Sequence, residues 1–215
     1  MAQIFPKWTN QAPRRILVGS IIIINAVVFA VWYFASPEFT DVGYQPEQPV
    51  PFSHKIHAGQ LGMDCQYCHT QVFDSRHANV PATQTCMNCH NQVQVQNPEN
   101  VELILESWET GEPIEWVRVH MLPDYAYFNH AAHVNVGVGC ESCHGRVDRM
   151  EVVHQAEPLS MGWCIDCHRE PEKHVRPVSE VTTMGYSVDN QLEVGMELVA
   201  KHNINAPTYC QSCHY

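Results

Sequence analysis

Apolar and polar residues fall in blocks along this chain, and the longest apolar block is Ile16 to Phe34, ILVGSIIIINAVVFAVWYF, 19 residues without a charge. At the α-helical rise it extends about 28 Å, enough to cross the hydrocarbon core of a bilayer. A cleaved signal peptide is the competing reading, but its apolar region usually runs only about 7–15 residues. Trp8 lies on one side of the block and Trp32 and Tyr33 close the other, where aromatic rings suit membrane interfaces. The pattern predicts residues 1–15 as a cytoplasmic N-terminus and 16–35 as an uncleaved anchor helix, with Asn25 facing a partner helix.

Residues 36–51, SPEFTDVGYQPEQPVP, are rich in proline and lack apolar period, so they read as an extended tether to a domain spanning 52–215. Within that domain the clearest helical period is PENVELILESWETG. Asn97 is expected to cap, Pro98 suits the first helical position, and Val101, Ile104, Leu105 and Trp108 share a face before Gly111. A weaker helix is predicted over residues 192–201, and no stretch has a strand pattern.

Charge divides the chain at the same place as hydropathy. Residues 1–35 carry Lys7, Arg14 and Arg15 and no acid, for +3, whereas residues 36–215 carry 9 Lys and Arg against 23 Asp and Glu, for −14. Cations before the anchor place the N-terminus in the cytoplasm and the acidic domain across the membrane. In a bacterium that is the periplasmic face of the inner membrane. Such a charge disfavours nucleic acid; it either steers basic proteins or is a solvated surface.

All ten cysteines fall in five CxxCH motifs: Cys65/Cys68/His69, Cys86/Cys89/His90, Cys140/Cys143/His144, Cys164/Cys167/His168 and Cys210/Cys213/His214. CxxCH is the attachment signature of c-type haem, in which two thiolates bond the vinyl groups and the histidine binds iron. Zinc ribbons and redox dithiols also use CxxC, yet neither needs a histidine after every pair. Five covalent haems c are therefore expected, with a short helix carrying each motif. At about one haem per 33 residues the fold class is a mostly irregular, α-containing multihaem domain, its short helices packed on the haems. The stripe on the 97–111 helix then covers a haem, the domain core or a subunit interface.

The domain is internally duplicated. FSHKIH (52–57) and FNHAAH (128–133) each precede two CxxCH motifs, giving copies 52–91 and 128–169, with the fifth motif, 210–214, appended. Nine further histidines, at 54, 57, 77, 120, 130, 133, 154, 174 and 202, are available for the sixth iron positions. His54/His57 and His130/His133, spaced i and i+3, project from nearly one face of a turn, so one rigid piece of backbone can serve two irons.

This element resembles that of the small class III multihaem cytochromes. The resemblance implies His54 on the iron of His69, His57 on that of His90, His130 on that of His144 and His133 on that of His168. The fifth iron then has His120 as first candidate, His77 and His154 next, and Met161 or Met184 after them. Irons with two strong protein ligands exchange electrons and have no place for substrate, so no catalytic residue is expected.

The N-terminal anchor together with PFSHKIHAGQLGMDCQYCHT, PATQTCMNCH, EWVRVHMLPDYAYFNHAAHVNVGVGCESCHGRVDRM and LSMGWCIDCHR resembles the pentahaem cytochrome subunit of bacterial alternative complex III. The membrane-anchored multihaem subunit of menaquinone reductase complexes shares much of the pattern. The resemblance implies electron relay from quinol, with iron-sulfur and polytopic membrane subunits and a monohaem cytochrome c or an oxidase as partners.

Overall fold

The computed structural model describes residues 4–93, 95 and 97–215. Residues 1–3 of the expected cytoplasmic segment lie outside the described residues. The chain forms two compact units, Met1–Thr40 and Asp41–Tyr215. In the first, a 3-10 turn (Lys7–Gln11) runs into helix α1 (Ala12–Phe34), which has a proline in its first turn and no buried residue, and a short helix α2 (Pro37–Thr40) follows. Lys7–Phe34 is, among the described residues, the one helical stretch long and apolar enough to cross a membrane, and a signal sequence passes the same test. Asn25 satisfies its amide within the helix, donating to Ile21 O at 2.8 Å.

The second unit is irregular backbone punctuated by helices α3 (Cys65–Cys68), α4 (Thr83–His90), α5 (Glu99–Thr110), α6 (His130–Val134), α7 (Glu141–His144), α8 (Met161–Arg169) and α9 (Gln191–His202). Among the described residues β-pairing is confined to an isolated bridge, Val138 with Val175. The first four motifs ride on α3, α4, α7 and α8, whereas the fifth sits on a 3-10 turn, Cys210–Ser212.

The predicted helix over 97–111 is α5, with one correction at its start. Pro98 occupies the cap and Asn97 contributes no side-chain cap; it accepts the first turn's Asn100 N–H through its carbonyl, at 3.0 Å. Gly111 ends α5 in the left-handed region, φ 77°, which costs glycine nothing. Ile104 packs with Val50 and Met87, while Trp108 stays half exposed, so only part of the stripe is used. Helix α9 packs on the 3-10 turn Pro171–Lys173, and Gly195 makes this possible: a Cβ there would collide with the Glu172 carbonyl.

The stretch expected to be a free tether is partly laid along the domain. Gly43 N donates to Gln155 O at 2.8 Å, Gln155 N to Tyr44 O at 3.0 Å, and Gln48 exchanges two hydrogen bonds with the Val117 backbone. Its glutamines do what strand partners would do, bonding neighbouring backbone through side-chain amides. Gln155 is fully buried and holds three segments at once, since its Oε1 also accepts from Met121 N and its Nε2 donates to Glu157 O. Apolar packing is thin: two clusters, Val50/Met87/Ile104 and Val72/Val134/Val181, form most of the side-chain core.

Candidate haem-iron sites

The duplicated FxHxxH element places its rings the same way twice, on different helical turns. In the first copy His54 leads into a π-helical turn, Lys55–Gln60; in the second, His130 opens α6, whose first turn is capped by Asn129 Oδ1 accepting from Ala132 N. The phenylalanine fixes both imidazoles. Phe52 meets His54 edge-on at 4.8 Å and stacks on His57 at 4.4 Å; Phe128 meets His130 edge-on at 4.8 Å and stacks on His133 at 4.4 Å.

Each of these four histidines faces the histidine of one CxxCH motif. The ring centroids are 6.5 Å apart for His54 and His69, 6.2 Å for His57 and His90, 6.3 Å for His130 and His144, and 5.9 Å for His133 and His168. A metal–imidazole nitrogen bond is about 2 Å long and a ring centre lies about 1 Å beyond its nitrogen, so two imidazoles on opposite sides of one ion stand about 6 Å apart. All four pairs match that spacing. The ring planes repeat between copies too: nearly parallel in the first pair of each (1° and 8°) and inclined in the second (50° and 43°).

Hydrogen bonds select which ring nitrogen is free. A carbonyl oxygen only accepts, so Nδ1 must carry the proton in His57 (to Ser53 O, 2.8 Å), His69 (to Asn79 O, 2.7 Å), His130 (to Arg76 O, 2.9 Å), His133 (to Asn129 O, 2.8 Å), His168 (to Pro207 O, 2.6 Å) and His214 (to Tyr125 O, 2.8 Å). That leaves Nε2 with a free lone pair in each, and the bonded Nδ1 orients the ring as it does in metal-binding histidines. Two of the carbonyls are aimed by unusual backbone. Asn79 and Tyr125 both adopt left-handed φ, 73° and 65°. Burial, then neighbouring imidazoles, lowers the pKa of His54 to about 4 and of His144 to about 3, so both are neutral and able to bind metal at ordinary pH.

His120 is placed differently from the expectation that it serves the fifth iron. Its Nε2 lies 3.1 Å from His144 Nδ1, and with Nε2 of His144 turned to its partner ring, Nδ1 donates and His120 accepts. The reason is tertiary: the backbone N–H of Met121 is bound to buried Gln155, which holds this segment behind His144. His77 is exposed, His154 is half-buried, and Met161 is exposed at the start of α8. Among the described residues no imidazole stands across from His214 at the spacing of the other four pairs. Sequence reasoning did not find the carbonyls of Asn79, Tyr125 and Pro207, because main-chain acceptors leave no residue signature.

The ten cysteines are free thiols, two beside each motif histidine. The fifth motif departs from the expectation that a short helix carries each motif. Cys89 is exposed on α4: the helix turns Met87 into the core, and two residues further on the chain has gone about 200° around the axis, to the outer face. Cys213 lies just past its 3-10 turn, which ends at Ser212, and its Sγ is 3.8 Å from Ser212 Oγ. The second thiol of the fifth motif is therefore set by a turn's cap, where a helix was expected.

Among the described residues no group of three or more His, Cys, Asp or Glu is arranged to hold one metal ion, as a zinc ribbon requires. The donors instead offer two thiols for a porphyrin's vinyl groups and opposed imidazoles for its iron, which fits covalent haem. Residues 50–103 and 126–215 match the family described as cytochrome c7 and related cytochrome c. The chain belongs to that family. Membership makes this a multihaem c-type cytochrome, and its ten cysteines in CxxCH spacing suit several covalent haems. The cytochrome is also similar to the menaquinone reductase, multihaem cytochrome c subunit, of Nitratidesulfovibrio vulgaris, strain Hildenborough, with 35% identity over 122 residues, 57% of this chain. It spans 55% of that relative's length.

Proposed function

We propose that this cytochrome is the electron-relay subunit of a quinone-linked membrane complex of the menaquinone reductase kind, with α1 as its anchor and five covalent haems in its second unit. The observation that carries the reading is the set of four opposed imidazole pairs. With both axial positions taken by histidine, an iron keeps no site for substrate and serves for one-electron exchange. The similarity to the menaquinone reductase cytochrome subunit supports the quinone link.

EPR of the oxidised, detergent-solubilised protein is the test. Low-spin ferric signals from the paired sites are expected, and a dominant high-spin signal that shifts with added cyanide would overturn the relay reading. A second reading, a subunit of alternative complex III delivering quinol electrons to a monohaem cytochrome c or an oxidase, is favoured by the five motifs and the quoted stretches. Co-purification from native membranes separates the two, by whether the attached redox partner is such a cytochrome or oxidase.

A further inference from the structure

We propose that the five attachment sites stand in single file in the spatial order Cys86/Cys89, Cys65/Cys68, Cys140/Cys143, Cys164/Cys167, Cys210/Cys213, so that the first site of each copy is innermost. This rests on the proposed function in taking haem to be attached at all five motifs. Haem held there supplies one-electron exchange, each transfer oxidising one iron from ferrous to ferric and reducing its neighbour, with the outer donor and acceptor being the quinone-linked complex and its redox partner.

Four links set the order. The Cys86 and Cys65 sites share the turn that puts His57 across from His90 and His54 across from His69. Their motif helices are tied directly, Asn88 Nδ2 donating to Tyr67 OH at 3.1 Å, each residue lying between the two cysteines of its own motif.

The Cys65 and Cys140 sites meet across the two copies. Thr182 Oγ1 donates to Asp64 Oδ2 at 2.9 Å, beside Cys65, while the adjacent Val181 carbonyl accepts from Cys140 N at 3.1 Å. Helix α6, which carries His130, is seated on the loop that follows His69: His130 N donates to Arg76 O, Ala131 N to Ser75 O, and Asn135 Nδ2 to Phe73 O. Val72 of the first copy and Val134 of the second share one buried cluster, with Cys140 packed against it.

The Cys140 and Cys164 sites share α6, which sets His130 across from His144 and His133 across from His168. The Cys164 and Cys210 sites are joined by His168 Nδ1 donating to Pro207 O at 2.6 Å, three residues before Cys210. The Cys86 site has its other attachments to α5, through Thr83 Oγ1 and Ser107 Oγ at 2.7 Å and the Met87–Ile104 packing, which makes it an end of the file. The chain order of the motifs would instead put it between the Cys65 and Cys140 sites.

The test uses the full-length, haem-loaded protein. In His57→Met a thioether replaces the imidazole and raises the potential of the Cys86 site, so that iron can be reduced alone. Pulsed EPR then reads relaxation of the ferric sites still oxidised, with the Cys65 signal assigned from His54→Met and the Cys140 signal from His130→Met. Loss of relaxation enhancement at the Cys65 site, with none at the Cys140 site, is expected; the reverse pattern overturns the order. In His133→Met, reduction of the Cys164 site is expected to affect both the Cys140 and the Cys210 sites, and an unaffected Cys210 site overturns the outer end. Haem content by pyridine haemochrome separates the two levels. A wild-type protein without covalent haem removes the functional reading itself, whereas five haems with other couplings remove only the order.

Discussion

The Nε2 atom of His120 lies 3.1 Å from Nδ1 of His144, with the rings edge to face at 4.3 Å. Elsewhere the histidines of these pairs whose Nδ1 is hydrogen-bonded donate to backbone carbonyls. An imidazole nitrogen is the stronger base, so His144 gains more electron density than its counterparts, and a more basic ligand stabilises ferric iron. In His120→Phe one haem should rise in potential while the others stay put. Spectroelectrochemical titration checks this. A new high-spin EPR signal in that variant would mean instead that His120 is itself a ligand.

The ring planes predict two kinds of low-spin iron. Aligned imidazoles, as in His54/His69 and His130/His144, split the iron's two π-bonding d orbitals more than inclined ones do, as in His57/His90 and His133/His168. The oxidised protein should therefore show paired rhombic signals and paired, more anisotropic ones. His57→Met should remove a member of the anisotropic class.

Asn79 carries its left-handed φ so that its carbonyl meets His69 Nδ1. Asn79→Gly should keep both stability and the spectrum of the Cys65 site, since glycine adopts that backbone freely. Asn79→Val should cost about 1–3 kcal/mol and shift that site's potential, because a β-branched residue resists the conformation. Denaturation and redox titration of the two variants give the comparison.

Gln155→Leu preserves much of the side chain's bulk but removes the acceptor from Met121 N and the donor to Glu157 O. Leaving buried backbone groups unmatched should lower unfolding stability by about 1–3 kcal/mol. Because the same segment holds His120, the potential of the Cys140 site should move in the direction seen for His120→Phe.

Gly195→Ala places a methyl against the Glu172 carbonyl where α9 meets the 171–173 turn. Overpacking of this kind costs about 1–3 kcal/mol, despite alanine's better helix propensity. A more stable variant in chemical denaturation would show that α9 can shift without penalty.

What could be read from the sequence was mostly what is local. The His54/His57 and His130/His133 turns were legible because two histidines three residues apart share a face, and α5 and α9 because apolar residues recur at helical spacing. The placement of His120 was not. It depends on Gln155 reaching Met121 from 34 residues away, and glutamine in a loop gives no hint of being fully buried. The settings of Cys89 and Cys213 were hidden too, because identical CxxCH spacing does not reveal which side of a helix is packed or whether a full helical turn forms. The course of residues 43–50 was missed for a related reason, since a proline-rich polar stretch reads as solvated until its amides are matched to Val117 and Val152.

The hydrogen bond from His168 to the Pro207 carbonyl has a further consequence. Two copies joined through their first sites would, by themselves, form a conductor with equivalent ends, and a donor could dock at either. The appended fifth motif, fastened to the second copy through that bond and to the segment just before it through Tyr125 O and Tyr127 N, gives the molecule polarity. One end terminates at a motif braced by α4 and α5, the other at a short 3-10 turn near the C-terminus, with Tyr209 and Tyr215 exposed beside it. Different surfaces at the two ends are what allow a donor and an acceptor to be told apart.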